Sequence, residues 1–370
     1  MNNLIKEHYD KVFYKVRDTL NKEMNEDAKK IDNILNMKKY KNIIVYMHAV
    51  AFEPIQRPQH FLSEFAKNGD ICFFCDIPSE NFEIREYENN FFVVNQEETL
   101  ISALRNYENV ILYITYGMQY IYKQFLKKSK MWFDVLDEPK FLANYDFFKG
   151  IYKNLVYEAD ILSYSANRLK RICKNRKDAL YLPNGVSVED FKFEKKEKYT
   201  DNNIDIIKEK KKKYNIIGYY GAVESWFDND IIKNILLENK NFVVIIGEAN
   251  IDKIKSDRVF YIGKVEYNKL KWYAREFDVA IIPFKVNKIT NSVSPVKFFE
   301  YSALNLPCVS TKINEMKIYK NRSGVYLSDK RNFNKKIKEA IKNKVNTFKI
   351  AKENTWKNRT KKIEDRINTL

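Results

Sequence analysis

Residues 290–311 read TNSVSPVKFFEYSALNLPCVST, and the apolar run VAIIPF precedes them at 279–284. That run and the segment LPCVS have the composition of buried strands, whereas Ser294 followed by Pro295 is typical of the N-cap and first turn of a helix. The stretch therefore predicts strand, helix and strand in succession, the repeating unit of a parallel α/β sheet. The first-turn amide groups of that helix would face the C-terminal edge of the sheet, where ligands of open α/β sheets bind.

The predicted helix start carries the residue types of an anion site. Unpaired amide groups and the helix dipole favour negative charge, and Lys297 in the first turn adds a positive charge suited to a diphosphate. Glu300 lies three residues later on the same face, where a carboxylate can accept hydrogen bonds from two ribose hydroxyls. The alternative is purely structural, with Ser294 as a cap and Lys297 paired with Glu300 at the surface.

Strands and helices alternate on both sides of this stretch, which predicts two doubly wound α/β domains in series. The best boundary is the run of lysines and glutamates at 191–213, because a segment of such polarity cannot contribute to a core. The predicted division is a helical extension at 1–38, a first domain at 39–190, a linker at 191–213, a second domain at 214–344 and a C-terminal helix at 345–370. The extension is expected to be helical and amphipathic and to stand before the first domain, with Leu4, His8, Val12, Val16 and Leu20 forming a stripe at helical spacings.

Composition excludes several classes of protein. The 370 residues are 45% apolar and contain no apolar run near the ~20 residues that span a bilayer, so we expect a globular protein of the cytoplasm. Cys72 and Cys75 lie in the strand-like run ICFFCD, which would send them to opposite faces, so we expect core thiols rather than a metal or redox pair. The net charge of +17 predicts anionic partners: phosphorylated ligands, nucleic acid or an acidic membrane surface.

Several segments resemble, in family order, the retaining GT-B glycosyltransferases, specifically the family-four-like enzymes of bacterial polysaccharide and teichuronic-acid assembly. The segment SPVKFFEY is the specific one, and the others are weaker alone. They are QRPQH (56–60), YLPNGVSVEDF (181–191), GYYGAVESWFD (218–228), FYIGKVEYNKL (260–270), the stretch 281–311 and ENTWKNR (353–359). The resemblance implies two Rossmann-like domains that face a cleft, and a nucleotide-diphosphate sugar donor of the UDP or GDP type instead of a bound cofactor.

The resemblance also implies roles for individual positions in the second domain. The helix start would contact the diphosphate, Glu300 the ribose, the backbone near Lys264 the base, and a small-residue loop the phosphates from the opposite side. Many relatives carry a further glutamate that touches the donor sugar where this sequence has Ser292, so Thr290 or Asn291 would substitute there. The implied donor-binding positions are Gly221, Ala222, Lys264, Val265, Thr290, Ser294, Pro295, Val296, Lys297 and Glu300.

In the first domain, polar residues follow two predicted strands at the C-terminal edge of the sheet. Arg57 could bind a phosphate through both arms of its guanidinium, and His48 is a better candidate than His60, which falls within a helix. Carboxylates at the end of the strand MWFDVLD could orient an acceptor hydroxyl, although a capping or loop role is equally compatible with their positions. They are Asp134, Asp137 and Glu138.

Taken together, the sequence predicts a metal-independent, retaining glycosyltransferase with Lys297, Arg57, His48 and Asp137 as catalytic candidates. Its expected partners are a nucleotide sugar, a glycan or lipid-linked acceptor and an anionic membrane surface. One alternative is a non-catalytic GT-B subunit that binds a partner, or a second copy, through residues 1–38. Two weaker alternatives are nucleic-acid binding, which lacks interleaved aromatic residues, and metal binding at Asp228-Asn229-Asp230, where Asp228 is more simply a helix cap.

Overall fold

The computed structural model describes residues 2–142, 144–174, 176–194 and 198–370, and it describes side chains from residue 6 onward. The Leu4 side chain of the predicted stripe and residues 195–197 of the predicted linker lie outside this set. The chain divides into two compact units. Unit 1 contains residues 1–183 and 359–370, and unit 2 contains residues 184–358. No helix among the described residues is long and apolar enough to cross a bilayer.

Unit 1 is built around an eight-stranded sheet with the strand order β3-β4-β2-β1-β5-β6-β7-β8. Every neighbouring pair is parallel except β3 and β4. The elements are α1 (Asn2–Leu20), α2 (Glu26–Met37), β1 (Ile43–Tyr46), α3 (Arg57–Lys67), β2 (Ile71–Cys75), β3 (Ile84–Glu88), β4 (Phe91–Val94), α4 (Glu97–Leu104), β5 (Val110–Ile114), β6 (Lys130–Val135), α5 (Tyr145–Glu158), β7 (Ile161–Tyr164) and β8 (Leu180–Tyr181).

Unit 2 holds a six-stranded, fully parallel sheet with the order β11-β10-β9-β12-β13-β14. Its elements are α6 (Asn202–Lys211), β9 (Asn215–Tyr220), α7 (Asn229–Leu236), β10 (Asn241–Ile246), β11 (Val259–Gly263), α8 (Leu270–Ala274), β12 (Val279–Ile282), α9 (Val296–Ala303), β13 (Cys308–Thr311), α10 (Asn314–Lys317), β14 (Val325–Ser328), α11 (Phe333–Lys342) and α12 (Phe348–Glu353). A last helix, α13 (Trp356–Ile367), begins in unit 2 and runs mostly in unit 1.

The predicted strands form because short apolar runs become buried on both faces of a parallel sheet. The central strands β1, β5 and β10 are buried at every position. Two strands escaped prediction: β3 is an exposed edge strand of sequence IREYE, and β14 is a four-residue edge strand. Cys72 and Cys75 are buried free thiols of β2, as expected of core residues.

The N-terminal region is helical and packs against unit 1 rather than standing before it. It forms two helices, α1 and α2, which both pack against α4 of unit 1. Val16 of the predicted stripe is buried in the unit 1 core, and so are Ala28, Ile31 and Leu35 of α2. Val12, Val16 and Leu20 of the stripe thus pack within the chain, and a partner contact through residues 1–38 stays a prediction.

The predicted linker and C-terminal helix also need correction. The segment 191–213 contains α6, whose Ile204 and Ile207 are buried in the unit 2 core, so two apolar residues three apart anchor an otherwise charged helix. The division between units falls instead at Pro183 and Asn184. Residues 345–370 form two helices rather than one, and the second returns to unit 1.

Candidate functional site

Helix α9 of unit 2 begins one residue later than predicted, at Val296. The predicted N-cap, Ser294, is buried and accepts a hydrogen bond from the Asn184 backbone amide at 3.1 Å, while its carbonyl accepts one from the Asn184 side chain at 2.7 Å. Pro295 therefore takes the cap position and offers no side-chain hydrogen bond. Within the described residues, the amide groups of Val296 and Lys297 have no hydrogen-bond partner, so two donors stay open at the helix start.

The Lys297 side chain lies in the first turn of this helix and is partly buried. Its Nζ lies 5.3 Å from the ring centre of Tyr219 and 5.5 Å from that of Phe284, and no carboxylate of the described chain lies within ion-pair distance. Burial lowers the pKa of Lys297, and the nearby Glu300 carboxylate opposes that shift. A lysine held beside two aromatic rings without an ion-pair partner is a cation that an anionic ligand would stabilise.

Glycines make room for this lysine at the C-terminal edge of the sheet. A Cβ on Gly221 would lie 2.6 Å from Cε and Nζ of Lys297, and Gly221 has a φ of +127° that favours glycine. A Cβ on Gly247 would lie 2.2 Å from the Gly221 carbonyl oxygen, so the backbones approach closely there. Gly221, Gly247 and Gly263 stand at the ends of the adjacent strands β9, β10 and β11, so three neighbouring strands end without a side chain.

Sequence reasoning identified Gly221 but missed the other two glycines. The signal was present, because the three apolar runs NIIGYYG, NFVVIIG and RVFYIG each end in glycine. A glycine at the carboxyl end of three successive parallel strands is a periodic feature that helix or strand propensity does not explain. It indicates that the backbone is to be approached closely at this edge.

Glu300 lies one turn into α9 and is buried. Burial raises its pKa to about 7, although Lys297 and the hydroxyls of Tyr220 and Tyr267 lower it in part. The Tyr220 hydroxyl is buried and makes no hydrogen bond by distance and angle, although it lies close enough to Glu300 to affect the carboxyl. A carboxyl and an unsatisfied phenol set side by side are suited to bind neighbouring hydroxyl groups of a ligand.

The remaining predicted donor positions fall into two groups. Thr290 and Asn291 organise the loop before α9: the Thr290 hydroxyl donates to the Lys285 carbonyl at 2.5 Å, and the Asn291 side chain accepts from the Asn314 amide at 2.9 Å. Their side chains are thus engaged within the fold, as is Ser292. Ala222 and Lys264 are exposed, and Val265 is partly buried, directly after the glycine ends of β9 and β11.

In unit 1, Arg57 begins helix α3 at the corresponding edge, but its guanidinium is engaged in the fold. Nε and Nη2 donate to the Asp134 carboxylate at 2.7 and 3.1 Å, and Nη2 also donates to the Leu182 carbonyl at 2.7 Å. Burial disfavours the charge of Arg57, yet Asp134 outweighs it and raises the pKa. Tyr113 and Ser163 complete the shell of Asp134. This geometry makes Arg57 a structural anchor, which corrects its expected role as a phosphate ligand.

A pocket of about 200 Å³, here called the unit 1 pocket, opens at the carboxyl ends of β1, β5 and β6. Asp137 lines it and is exposed to solvent, and the surrounding concavity raises its pKa by desolvation. Asp134 and Glu138 are committed elsewhere, to Arg57 and to Arg171 respectively. Of the three carboxylates predicted at this strand end, Asp137 is thus the one presented to a ligand.

Neither His48 nor His60 is among the residues that line the unit 1 pocket. Burial lowers the pKa of His48, with the nearby Asp76 opposing the shift, and its Nδ1 is buried without a hydrogen-bond partner. Its backbone amide donates to Glu97 at 2.8 Å. His60 is buried in α3, and burial lowers its pKa to about 3, in keeping with a core position.

The Asp228-Asn229-Asp230 triplet supports the cap interpretation. The Asp228 side chain accepts from the Asp230 amide at 3.0 Å at the start of α7, and both carboxylates pair with Lys330. Among the residues that the structure describes, no group of three or more histidine, cysteine, aspartate or glutamate side chains is arranged to hold a metal ion.

No model of a protein family matches the sequence, and no curated protein matches it, but solved structures match the fold closely. A sucrose-phosphate synthase from Thermosynechococcus elongatus has a TM-score of 0.64 at 12% identity, over 89% of this chain and 99% of that chain. HepE from Anabaena, solved in complex with UDP, has a TM-score of 0.65 at 12% identity, over 89% of this chain and 100% of that chain. An α,α-trehalose-phosphate synthase (UDP-forming) from Burkholderia vietnamiensis has a TM-score of 0.65 at 10% identity, over 90% and 100%. The chain therefore has the fold of the GT-B glycosyltransferases, as the resemblance implied.

Proposed function

We propose that this chain is a glycosyltransferase that takes a sugar from a nucleoside diphosphate donor bound at the carboxyl edge of the unit 2 sheet. The observation that carries the proposal is Lys297, a partly buried lysine without an ion-pair partner in the described chain, beside two open amide donors and a glycine-lined edge. A diphosphate supplies the two negative groups that this arrangement lacks. Glu300 and the Tyr220 hydroxyl then offer partners for ribose hydroxyls.

The proposed chemistry is electrostatic. The bond between the anomeric carbon and the diphosphate oxygen breaks, the acceptor oxygen bonds to the anomeric carbon, and negative charge grows on the departing diphosphate. Lys297 and the amides of Val296 and Lys297 stabilise that charge because they are held in place before the reaction begins. The acceptor proton passes to the leaving phosphate oxygen. No divalent metal is required in this scheme.

We further propose that the anomeric configuration is retained. Inversion needs a general base on the face opposite the leaving group. Asp137 and His48 are the first-domain candidates, and neither has the paired base-and-orienter geometry expected of a general base. A UDP-α-sugar should therefore give an α-linked product, read from the anomeric proton coupling constant before mutarotation. Two results together would contradict retention. The parent would give a β-linked product, and an Asp137 or His48 variant that still binds the donor would no longer form it.

The acceptor side of the proposal is a glycan or lipid-linked acceptor presented at an anionic membrane. It rests on the resemblance and on the net charge of +17. Each basic residue near an anionic leaflet contributes roughly 1 kcal/mol, and salt screens this attraction. Co-sedimentation with phosphatidylglycerol vesicles should fall as salt rises, and equal binding to neutral and anionic vesicles would contradict it.

The decisive experiment for the donor site is calorimetric titration with UDP and GDP. We expect one of them to bind, and Lys297→Ala to weaken binding by roughly 10–100-fold, since a charged hydrogen bond is worth ~1.5–3 kcal/mol. Lys288→Ala, an exposed lysine in the loop before α9, is the matched control and should bind normally. Failure of both nucleotides to bind, or unchanged affinity in Lys297→Ala, would overturn the proposed site.

A further inference from the structure

The unit 1 pocket has a charge distribution that does not suit an anionic ligand. Among the described residues that line it, Arg57 and Asp137 are the charged ones. The Arg57 guanidinium is 5% exposed and already holds Asp134 and the Leu182 carbonyl. Asp137 has no ion-pair partner within the described chain and is open to solvent. A ligand that enters the pocket therefore meets a negative group and no available cation.

The helix start beside the pocket is equally unsuited to an anion. Helix α3 begins at Arg57, and its second residue is Pro58, which has no amide proton to donate. The Gln59 side chain also reaches back to the Gln56 amide at 3.3 Å. The first turn thus offers fewer open donors than the first turn of α9, where Val296 and Lys297 both keep theirs.

The other lining groups suit a polar, uncharged ring. Tyr46 and Thr115 share a hydrogen bond of 2.8 Å at the pocket floor, and each hydroxyl has further capacity to bond. Phe133, Val135 and Leu142 form an apolar wall against which the C–H groups of a sugar ring can pack. The volume of about 200 Å³ is smaller than the ~300–1,000 Å³ of drug-sized pockets, so it fits one monosaccharide unit.

We propose that the unit 1 pocket binds one uncharged, hydroxyl-bearing sugar unit of the acceptor, and that Asp137 selects it against a phosphorylated equivalent. The inference rests on the proposed function and specifies the class of acceptor. The carboxylate accepts a hydrogen bond from a sugar hydroxyl. It repels a phosphate, which would have to give up its hydration without gaining a cation in exchange.

The test uses the full chain with a UDP- or GDP-sugar donor that it binds, and matched pairs of acceptors: free glucose, mannose, galactose and N-acetylglucosamine, each beside its 6-phosphate. Formation of disaccharide is followed by mass spectrometry and by release of nucleotide. We expect transfer to at least one free sugar and at least 10-fold lower kcat/KM for its phosphate. A better phosphorylated acceptor would overturn the inference, and so would transfer to neither form, because a single sugar should fill the pocket.

Variants at Asp137 distinguish a role in acceptor recognition from a general loss of activity. Asp137→Asn should raise the KM for the free sugar by roughly 10-fold or more and narrow the preference over the phosphate, while donor affinity stays unchanged. Asp137→Lys should reverse the preference. Asp146→Asn, an exposed aspartate of α5 outside the pocket, is the matched control and should behave like the parent. An unchanged preference in both Asp137 variants would overturn the role of this residue.

Failure of this inference can be told apart from failure of the proposed function. If calorimetry shows no nucleotide binding, the donor site itself is wrong. If the nucleotide binds and Lys297→Ala abolishes that binding, the donor site is confirmed. If the phosphorylated acceptor is then preferred over the free sugar, only the assignment of the pocket is wrong.

Discussion

Helices α3 and α9 are comparable, since each follows a buried strand and begins at the carboxyl edge of that strand, and each carries a cation in its first turn. Arg57 of α3 is bound by a carboxylate and a carbonyl, whereas Lys297 of α9 has no ion-pair partner in the described chain. Pro58 removes a donor from α3, whereas Val296 and Lys297 keep theirs in α9. The same strand-to-helix arrangement thus gives a structural anchor in unit 1 and, in unit 2, the open helix start that we propose as an anion site.

The largest expected effect is the loss of stability when the Arg57–Asp134 ion pair is broken. Arg57→Met leaves Asp134 buried without its cation, and removing one partner of a buried ion pair typically costs about 3–5 kcal/mol. Urea denaturation of the parent and the variant measures this loss. The double variant Arg57→Met/Asp134→Asn should recover part of the stability. Lys297→Ala should cost far less, and an Arg57 variant as stable as the parent would remove the contrast between the two helices.

The second prediction concerns the glycine edge that keeps the α9 site open. Gly221→Ala adds a Cβ at 2.6 Å from the end of the Lys297 side chain, which must move, so nucleotide affinity should fall roughly 10-fold at a stability cost of about 1 kcal/mol. Gly247→Ala meets a carbonyl oxygen and should destabilise more. Gly263→Ala, which has a φ of +86° but open space, is the control for backbone strain alone. Equal nucleotide affinity in Gly221→Ala and Gly263→Ala would refute the close approach.

A third, smaller effect follows from the pKa of Glu300. Burial raises it from an ordinary value of 4.5 to about 7, so the folded protein keeps a proton that the unfolded chain has lost. The stability from this group is complete below pH 4.5 and is lost as pH rises through about 7. Glu300→Gln does not titrate, so its stability relative to the parent should increase between pH 5 and pH 8, on the order of 1–3 kcal/mol.

Urea denaturation at four pH values measures this difference. Glu248→Gln, an exposed glutamate of unit 2, should show no such trend. A constant difference between Glu300→Gln and the parent across the range would mean that Glu300 is ionised throughout, and the site would then resemble a paired structural site rather than an open one.

The smallest expected effect is that of metal removal. If Lys297 and the α9 amides neutralise the leaving diphosphate, EDTA should leave the turnover of donor nearly unchanged. Activity that disappears in EDTA, returns with Mn²⁺ and is abolished by Asp228→Ala would assign the charge stabilisation to a metal at the start of α7 instead.

The sequence predicted well whatever depends on local pattern. The buried strands appeared as apolar runs, and the cap at Asp228 followed from residue type and position. The start of α9 was displaced because Ser294 is bonded by Asn184, which lies 110 residues away in the sequence and close only in the fold. Arg57 was assigned to phosphate because its partner Asp134 comes 77 residues later and cannot be paired with it by spacing.

The polar segments show the same limit. The predicted linker at 191–213 looked too charged for a core, yet Ile204 and Ile207 suffice to anchor α6 because the lysines around them point to water. Asp137 is exposed, whereas Asp134 and Glu138 are buried. This difference depends on the side chains that surround each carboxylate in the fold. Position at a strand end gives the same prediction for all three.

The route of the chain sets the order in which the protein can mature during synthesis. Helix α13 supplies Ile363 to the interior of unit 1, and its Glu364 and Arg366 bond to Asn68 and Asp178 of that unit. On a ribosome that adds residues from the N-terminus, unit 1 stays incomplete until α13 emerges, after all of unit 2 has been made. Unit 2 can therefore be finished first, and the part of the protein that is translated earliest is the last to close.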